Sequence, residues 1–493
     1  MRSRLRLPCL MIATLHFALL GACGDKEASM LDVDVVGTEN APFESGVRLS
    51  PAGQLVRAAV AAGLVSLDEE GRVVPALAER WIVTDDGLSY IFRLREGTWP
   101  DRADITGEMA EQSLRAGVRA LSGTAFGQDL AAIREIRAMA GRVVEIRLAR
   151  PVPDLLQLLA QPELGLFHKH AGSGPMMLTR DGAVAVLAPI APERLGFASG
   201  EGPSAGMRGV RLRSVPATAA VRRFGDGAVD VVLGGRFESF PLGEGAAGLT
   251  RRLLRTDPVS GLFGLAFATV SGPLEDPRFR EALALAIDRE ALRGELASGA
   301  WAPTTRLAGT GLPGASGPSG ERWGDLTVAQ RQEAARRLVA RWKERRGSFP
   351  PLRLALPEGP GADLLFQRLE DDFKAIGVPV TRVSAGTGAE LQVLDLVARY
   401  NRTEWFLQQF ACAVRKPACS AAADALLAEA LSSRDPHKRA ELLARTEAVM
   451  TEANLYIPIG SPVRWSLVRD RVAGFAVNPA GFHPLAPLAK EQN

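Results

Sequence analysis

The stretch VPALAERWIVTDDGLSYIFRLREG, residues 74–97, decides the fold class. Tyr90-Ile91-Phe92-Arg93-Leu94 alternates apolar and polar positions, as a half-buried strand does. Asp86-Gly87 ahead of it supplies a residue that tolerates positive φ, which a tight hairpin turn needs. Trp81 and Phe92 are then expected in a core, one on each side of the turn. Val143-Val144-Glu145-Ile146-Arg147-Leu148 alternates in the same way and reads as a further antiparallel piece. Between the two strands, Gly107 to Ala120 has helical periodicity.

Working outward, Val47 to Ala62 reads as a helix with Leu49, Leu55, Val56 and Val60 as its apolar positions. Gly172 to Met207 is rich in Gly and Pro and holds one apolar strand, Ala183 to Leu187. Val210–Val215, an Ala-rich helix from Ala217, and Val229–Leu233 form a β–α–β unit. Asp276-Pro277 starts a helix, with Asp capping free N–H groups and Pro at the first position, and that helix is expected to reach Leu296. Ser298 to Glu321 reads as a long loop. A second α/β unit follows: helix Val328–Arg345, strand Leu352–Leu356, helix Ala362–Ile376 closed by Gly377, and strand Val378–Val383. Helices Ala421–Leu431 and Pro436–Glu452 precede a final strand pair near Tyr456–Ile459 and Trp465–Val468. The class is α/β.

The first 22 residues carry Arg2, Arg4 and Arg6, then an apolar run from Leu7 to Leu20, then Gly21-Ala22 before Cys23. A basic start, a short apolar segment and small residues before a cut make a secretory leader. With a cysteine next, the pattern resembles the bacterial lipobox, which implies a diacylated Cys23 and a lipid anchor; an ordinary leader with an incidental cysteine is the alternative. Either reading places the protein outside the cytoplasm, periplasmic or cell-surface. Three of the 59 basic residues lie in this leader, so the remainder balances 56 basic against 56 acidic residues, which excludes a basic nucleic-acid footprint. Cys9 leaves with the leader, and Cys412 and Cys419 remain. In an oxidising compartment so close a pair is expected to close a small loop, worth about 2.5 kcal/mol by chain entropy, with two free thiols as the other reading.

Several of these segments, in order, resemble the extracytoplasmic solute-binding proteins of peptide- and nickel-type ABC importers. Residues 74–97 are similar to that family's "PaLAesW" and "DdGltytFkLR", and Trp99 to Thr106 to a degraded "W-s-D-G-t-p-l-T". Gly174-Pro175-Met176 sits where the family has a Gly-x-Gly-Pro-Tyr loop, and Ala228 to Val232 resembles "G-e-v-D-i-v". Pro273 to Glu290 resembles "f-D-p-r-v-R-q-A-l-x-x-A-i-D-r-e", and Arg471 to Asn478 the closing "r-v-x-G-f-x-x-n". The resemblance implies a bilobal periplasmic-binding-protein-like fold of type II, two α/β lobes plus an extra subdomain, closing over solute by hinge motion. Its expected boundaries are 24–47, 172–262 and 462–493 for one lobe, 48–171 for the extra subdomain and 263–461 for the second lobe. Permease subunits in the membrane are the implied partners, with a monomer as the expected state.

In peptide-binding relatives an aspartate in "A-D-Y-P-D-P" pairs with the ligand's α-ammonium. The corresponding stretch here is Val397-Ala398-Arg399-Tyr400-Asn401, with Arg399 in the acid's place. A desolvated guanidinium repels an ammonium and grips a carboxylate or phosphate; the alternative is that Arg399 pairs with Glu404 or another acid. Ala268 and Met176 depart from the family's Asn and aromatic. Trp99, Phe267, Trp301, Tyr400 and Trp405 are the aromatics expected near the cleft. His168-Lys169-His170 lacks further metal ligands, Gly309 to Gly314 lacks the strand–helix context of a dinucleotide loop, and Asp85-Asp86 and Asp371-Asp372 are read as a turn and a solvated helix face. No nucleophile constellation, metal or cofactor is implied. The expected function is a solute-binding lipoprotein of an ABC importer, taking a peptide-like or other small polar solute; a surface sensor or scaffold on the same fold is the runner-up.

Overall fold

A computed structural model describes residues 30–169, 171–246, 251–296, 301–309, 311–314 and 320–491. The expected leader, Cys23, His170 and Thr310 lie outside these residues.

The chain folds around three main sheets. The largest has seven strands in the order Met176–Asp181, Val184–Pro189, Gly209–Val215, Met30–Val36, Val231–Arg236, Arg464–Val468, Leu254–Thr256. Met30–Val36 runs parallel between the two strands of the expected β–α–β unit, whose helix is Ala217–Gly225. Leu31, Val33 and Val35 have no exposed surface. The acids between them are answered by arginines: Arg211 grips Asp32 at 2.9 and 2.7 Å, and Arg223 bonds Asp34 at 2.8 Å. Helix Pro51–Val60 starts later than periodicity suggests, because Ser50 accepts the Gly53 N–H and Pro51 takes the first turn.

A five-stranded sheet runs Val380–Ser384, Leu352–Leu356, Leu391–Val397, Gly261–Phe267, Tyr456–Gly460. The helix begun at Asp276 does not reach Leu296 unbroken. It divides into Pro277–Ala286 and Arg289–Leu296, because Asp288 caps a new turn by accepting the Ala291 N–H at 3.1 Å. The Asp288 N–H in turn goes to Asp372 at 2.9 Å. Asp372 is therefore buried rather than on a solvated face, and burial pushes its carboxyl up to about 6. Two buried arginines tie helices to strands through backbone carbonyls. Arg289 donates twice to Pro458, at 2.9 and 2.8 Å, and Arg280 donates to Asn454 at 3.0 Å.

The third sheet is antiparallel throughout, in the order Ala78–Val83, Ser89–Leu94, Val143–Leu148, Ile133–Met139. The hairpin of residues 74–97 forms with Gly87 at φ +65°, and Trp81 faces Phe92 across it. Phe92 is fully buried and Trp81, on the edge strand, is half-buried. Helix Gly107–Ala120 lies on this sheet, capped by Thr106 accepting the Met109 N–H at 3.3 Å. Cys412 and Cys419 are joined as a disulfide just before helix Ala421–Ser432.

Tyr456–Gly460 and Arg464–Val468 do not pair with each other. They enter different sheets, the five-stranded and the seven-stranded. Pro462, with no N–H to donate, lies in the short link between them. The link between Leu254–Thr256 and Gly261–Phe267 makes the same crossing beside it, and Asp257 N–H donates to the Arg464 carbonyl at 3.0 Å. Beside this crossing, strand Val231–Arg236 breaks register at Gly234 (φ +76°), and the Trp465 indole lies over Gly235. The indole N–H donates to the Arg236 carbonyl at 3.0 Å. A Cβ at residue 235 would stand 2.2 Å from the indole ring. Gly235→Ala should therefore cost about 1–3 kcal/mol by overpacking, read as a lowered midpoint in urea. An unchanged midpoint would mean that the indole is not seated there.

Candidate functional site

Where the two larger sheets face each other, strand ends from both converge on a cleft of about 210 Å³. Leu233, Gly234 and Arg236 come from the carboxyl end of one strand, and Arg464 opens its antiparallel neighbour. Asp395 to Arg399 supply the opposite wall from the end of Leu391–Val397. Gln54, Gln157 and Gln161 contribute amides, and Ala480 to His483 close one end. Crevices at the carboxyl ends of strands are the usual ligand positions of α/β sheets.

The polar groups of this cleft are mostly committed in pairs. Arg464 Nη1 meets both oxygens of Asp395, at 2.8 and 2.9 Å, and both side chains are buried. Burial lowers the guanidinium's pKa, and Asp395 pulls it back. His483 Nε2 lies 3.0 Å from Asp257 Oδ2, while Asp257 Oδ1 accepts the Asn478 N–H at 3.0 Å. Gln54 Nε2 donates to Glu163 at 3.0 Å.

Of the residues read from the sequence, Arg399 reaches the cleft wall. It does not pair with Glu404. Its Nη1 stands 3.6 Å from Asp129 Oδ2, and its guanidinium stacks on Phe126, 4.4 Å from the ring centre. Tyr400 is buried behind that wall, its hydroxyl 3.4 Å from Asp129 Oδ1 and accepting from Gln408 Nε2 at 2.8 Å. The others pack in cores. Trp405 is set edge-on to Phe406, Trp301 edge-on to Phe263, Trp99 lies against His168, and Phe267 lies beneath Arg280. Met176 opens the edge strand of the seven-stranded sheet and is buried in its core. Trp99 also borders a separate surface cavity away from the cleft. Residue-by-residue reading passed over Arg236, Asp395, Arg464 and His483. Asp395 did leave a signal, as the lone charge inside the mostly apolar run Leu391–Val397.

A larger groove of about 850 Å³ lies elsewhere, between helix Pro51–Val60, the hairpin and the C-terminal segment, with Arg95 in its wall. It is lined by none of the five-stranded sheet's residues and meets the cleft at Leu67. Among the described residues no cluster of His, Cys, Asp or Glu is placed to hold a metal ion, and no helix is long and apolar enough to cross a membrane.

Two facing α/β lobes, with charged groups lining the space between them, define a receptor for a small solute. Residues 72–384 match the family described as bacterial extracellular solute-binding proteins, family 5 middle, and the chain belongs to that family. It is 25% identical over 505 residues to a probable di/tripeptide-binding protein 5 of Pseudomonas aeruginosa, covering 86% of this chain and 89% of that one. The fold superposes on the murein tripeptide binding protein MppA of Escherichia coli with a TM-score of 0.80 at 18% identity, covering 94% of this chain and 99% of MppA. It superposes equally on Haemophilus influenzae OppA in complex with the peptide RPPGFSPFR, with a TM-score of 0.80, 16% identity and coverage of 94% and 99%.

Asp129 joins the extra sheet's segment to the wall that carries Arg399, and burial pushes its carboxyl up to about 7 against the pull of Arg399. Its pKa is raised on folding, so its contribution is full below the unfolded value and fades as pH rises through about 7. Stability should thus fall between about pH 4 and 7, by an amount on the order of 4 kcal/mol from this group. Asp129→Asn should flatten that part of the slope in urea titrations run at pH 5 and pH 8. Parallel slopes for the two proteins would refute the assignment.

Proposed function

We propose that this chain captures a short peptide-like solute in the cleft and hands it to a membrane permease, working outside the cytoplasm on a lipid anchor at Cys23 and as a monomer. The observation that carries the reading is the cleft itself: polar walls drawn from both lobes, built on the ion pair of Arg464 with Asp395. Its volume of about 210 Å³ is below the roughly 300–1,000 Å³ of pockets that take drug-sized ligands, which suits a solute of two or three residues. The di/tripeptide-binding relative points the same way. Arg399 contributes a cation on the wall where the family's peptide binders hold an acid.

Thermal unfolding with added di- and tripeptides tests the reading. A ligand at about 100 times its dissociation constant adds roughly 2.7 kcal/mol, so a binding peptide should raise the transition by several degrees. Arg399→Ala should weaken the best binder about tenfold, the value of one charge-assisted hydrogen bond. Silence across every short peptide would sink the solute class. For the anchor, Cys23→Ser should move the protein from the membrane pellet to the soluble fraction.

A further inference from the structure

The groove of about 850 Å³ beside helix Pro51–Val60 is a second compartment, and its lining shares only Leu67 with that of the cleft. Its size lies within the roughly 300–1,000 Å³ of pockets that bury small ligands. Much of its wall is apolar, with Ala58, Ala62, Val74, Pro175, Phe197 and Leu485. Arg95 lies buried in that wall, its guanidinium 5.2 Å from the centre of the Phe197 ring. It donates to the backbone carbonyls of Leu195, Glu96 and Ser173, the last two at 3.5 Å. Its Nε–H meets no acceptor among the described residues, and none of their carboxylates forms an ion pair with it. Burial accordingly lowers its pKa with no acid pulling it back. The lining acids Glu79, Glu96 and Asp68 are engaged by Arg93, Arg142 and Arg72. That leaves Arg95 and Lys490 in the lining against Glu69 alone. Two further lining groups, Ser173 Oγ and Arg142 Nη1, are buried with no hydrogen-bond partner among the described residues.

We propose that this groove is a second ligand site, which takes an apolar molecule ending in a carboxylate, with the carboxylate at Arg95 and the body along the apolar wall. A buried guanidinium without a counter-ion is costly, and an anion beside it relieves that cost. Donors left without acceptors favour the same partner, because hydrogen bonds to a carboxylate are the stronger kind. An ammonium would meet like charge at Arg95, and a neutral solute would leave that charge unanswered. The apolar wall selects the rest of the molecule, since each methylene it covers is removed from water. The site stands apart from the cleft, so it neither needs the peptide reading nor competes with it.

The test is calorimetric titration of the Cys23→Ser chain with hexanoate, octanoate, octanamide and octylammonium. Octanoate should bind at least about tenfold more tightly than octanamide, and octylammonium should bind least. Lengthening the acid from hexanoate to octanoate should tighten binding by up to about fourfold per methylene. Ala58→Phe fills the groove from a half-buried position on its helix and should abolish octanoate binding. Arg399→Ala, in the cleft, should leave octanoate binding unchanged. Arg95→Gln should erase the preference for acid over amide, and Arg95→Lys should restore part of it. The unsubstituted series and Ala58→Phe decide the matter even if Arg95→Gln does not fold. Equal binding of acid and amide would overturn the carboxylate requirement and the proposal with it. Octanoate binding that survives Ala58→Phe, or that Arg399→Ala weakens, would put the acid elsewhere and overturn the site. No binding by either acid would overturn it as well.

Discussion

The ion pair between Arg464 and Asp395 is the interaction on which the rest of the molecule depends. One partner starts a strand of the seven-stranded sheet and the other lies in the five-stranded sheet, so the pair spans the crossing between lobes. Both side chains are buried, and removing either partner would leave a charge out of water, which typically costs about 3–5 kcal/mol. The Arg464 carbonyl also takes the Asp257 N–H from the other crossing segment, and Asp257 in turn holds His483 and Asn478. A single residue thus fixes the two links, the floor of the cleft and the C-terminal closure at one end of it.

Arginine recurs where distant elements are held together through backbone carbonyls. Arg289 and Arg280 are buried and answer backbone carbonyls at the ends of strands and helices, and Arg95 does the same for Ser173 and Leu195. Burial lowers the pKa of each, to about 9 for Arg289 and about 10 for Arg95, yet both remain cations at neutral pH. A planar fork with five donors satisfies several carbonyls at once, which a single ammonium on a flexible stem does less well. These residues behave as internal cross-braces, and a pattern reading would assign them to the surface.

What the sequence made legible was local. The hairpin at Gly87, the cap at Asp276, and helix Gly107–Ala120 follow from neighbouring residues, and they form as read. The family resemblance supplied the two-lobed arrangement, which spacing alone could not. The reading failed where partners were remote. Tyr456–Gly460 and Arg464–Val468 looked like a pair because they are adjacent in sequence, yet each finds its ladder elsewhere. Asp371-Asp372 looked solvated because nothing in sequence announces the Asp288 N–H that buries the second carboxylate. The aromatics drew attention as stacking groups, but large apolar surfaces gain most by leaving water altogether, and cores took them. The cleft was the least visible feature, since its walls come from residues as far apart as Gln54 and His483.

The seven-stranded sheet has a consequence for the order in which the protein is made. Its sixth strand, Arg464–Val468, sits between Val231–Arg236 and Leu254–Thr256, and among the described residues Leu254–Thr256 has no other ladder partner. During synthesis the first lobe therefore waits, with one strand unpaired and another missing its outer neighbour, until almost the whole second lobe has emerged. The first lobe is therefore not an independent folding unit in time. Strand Arg464–Val468 acts as the fastener of that sheet.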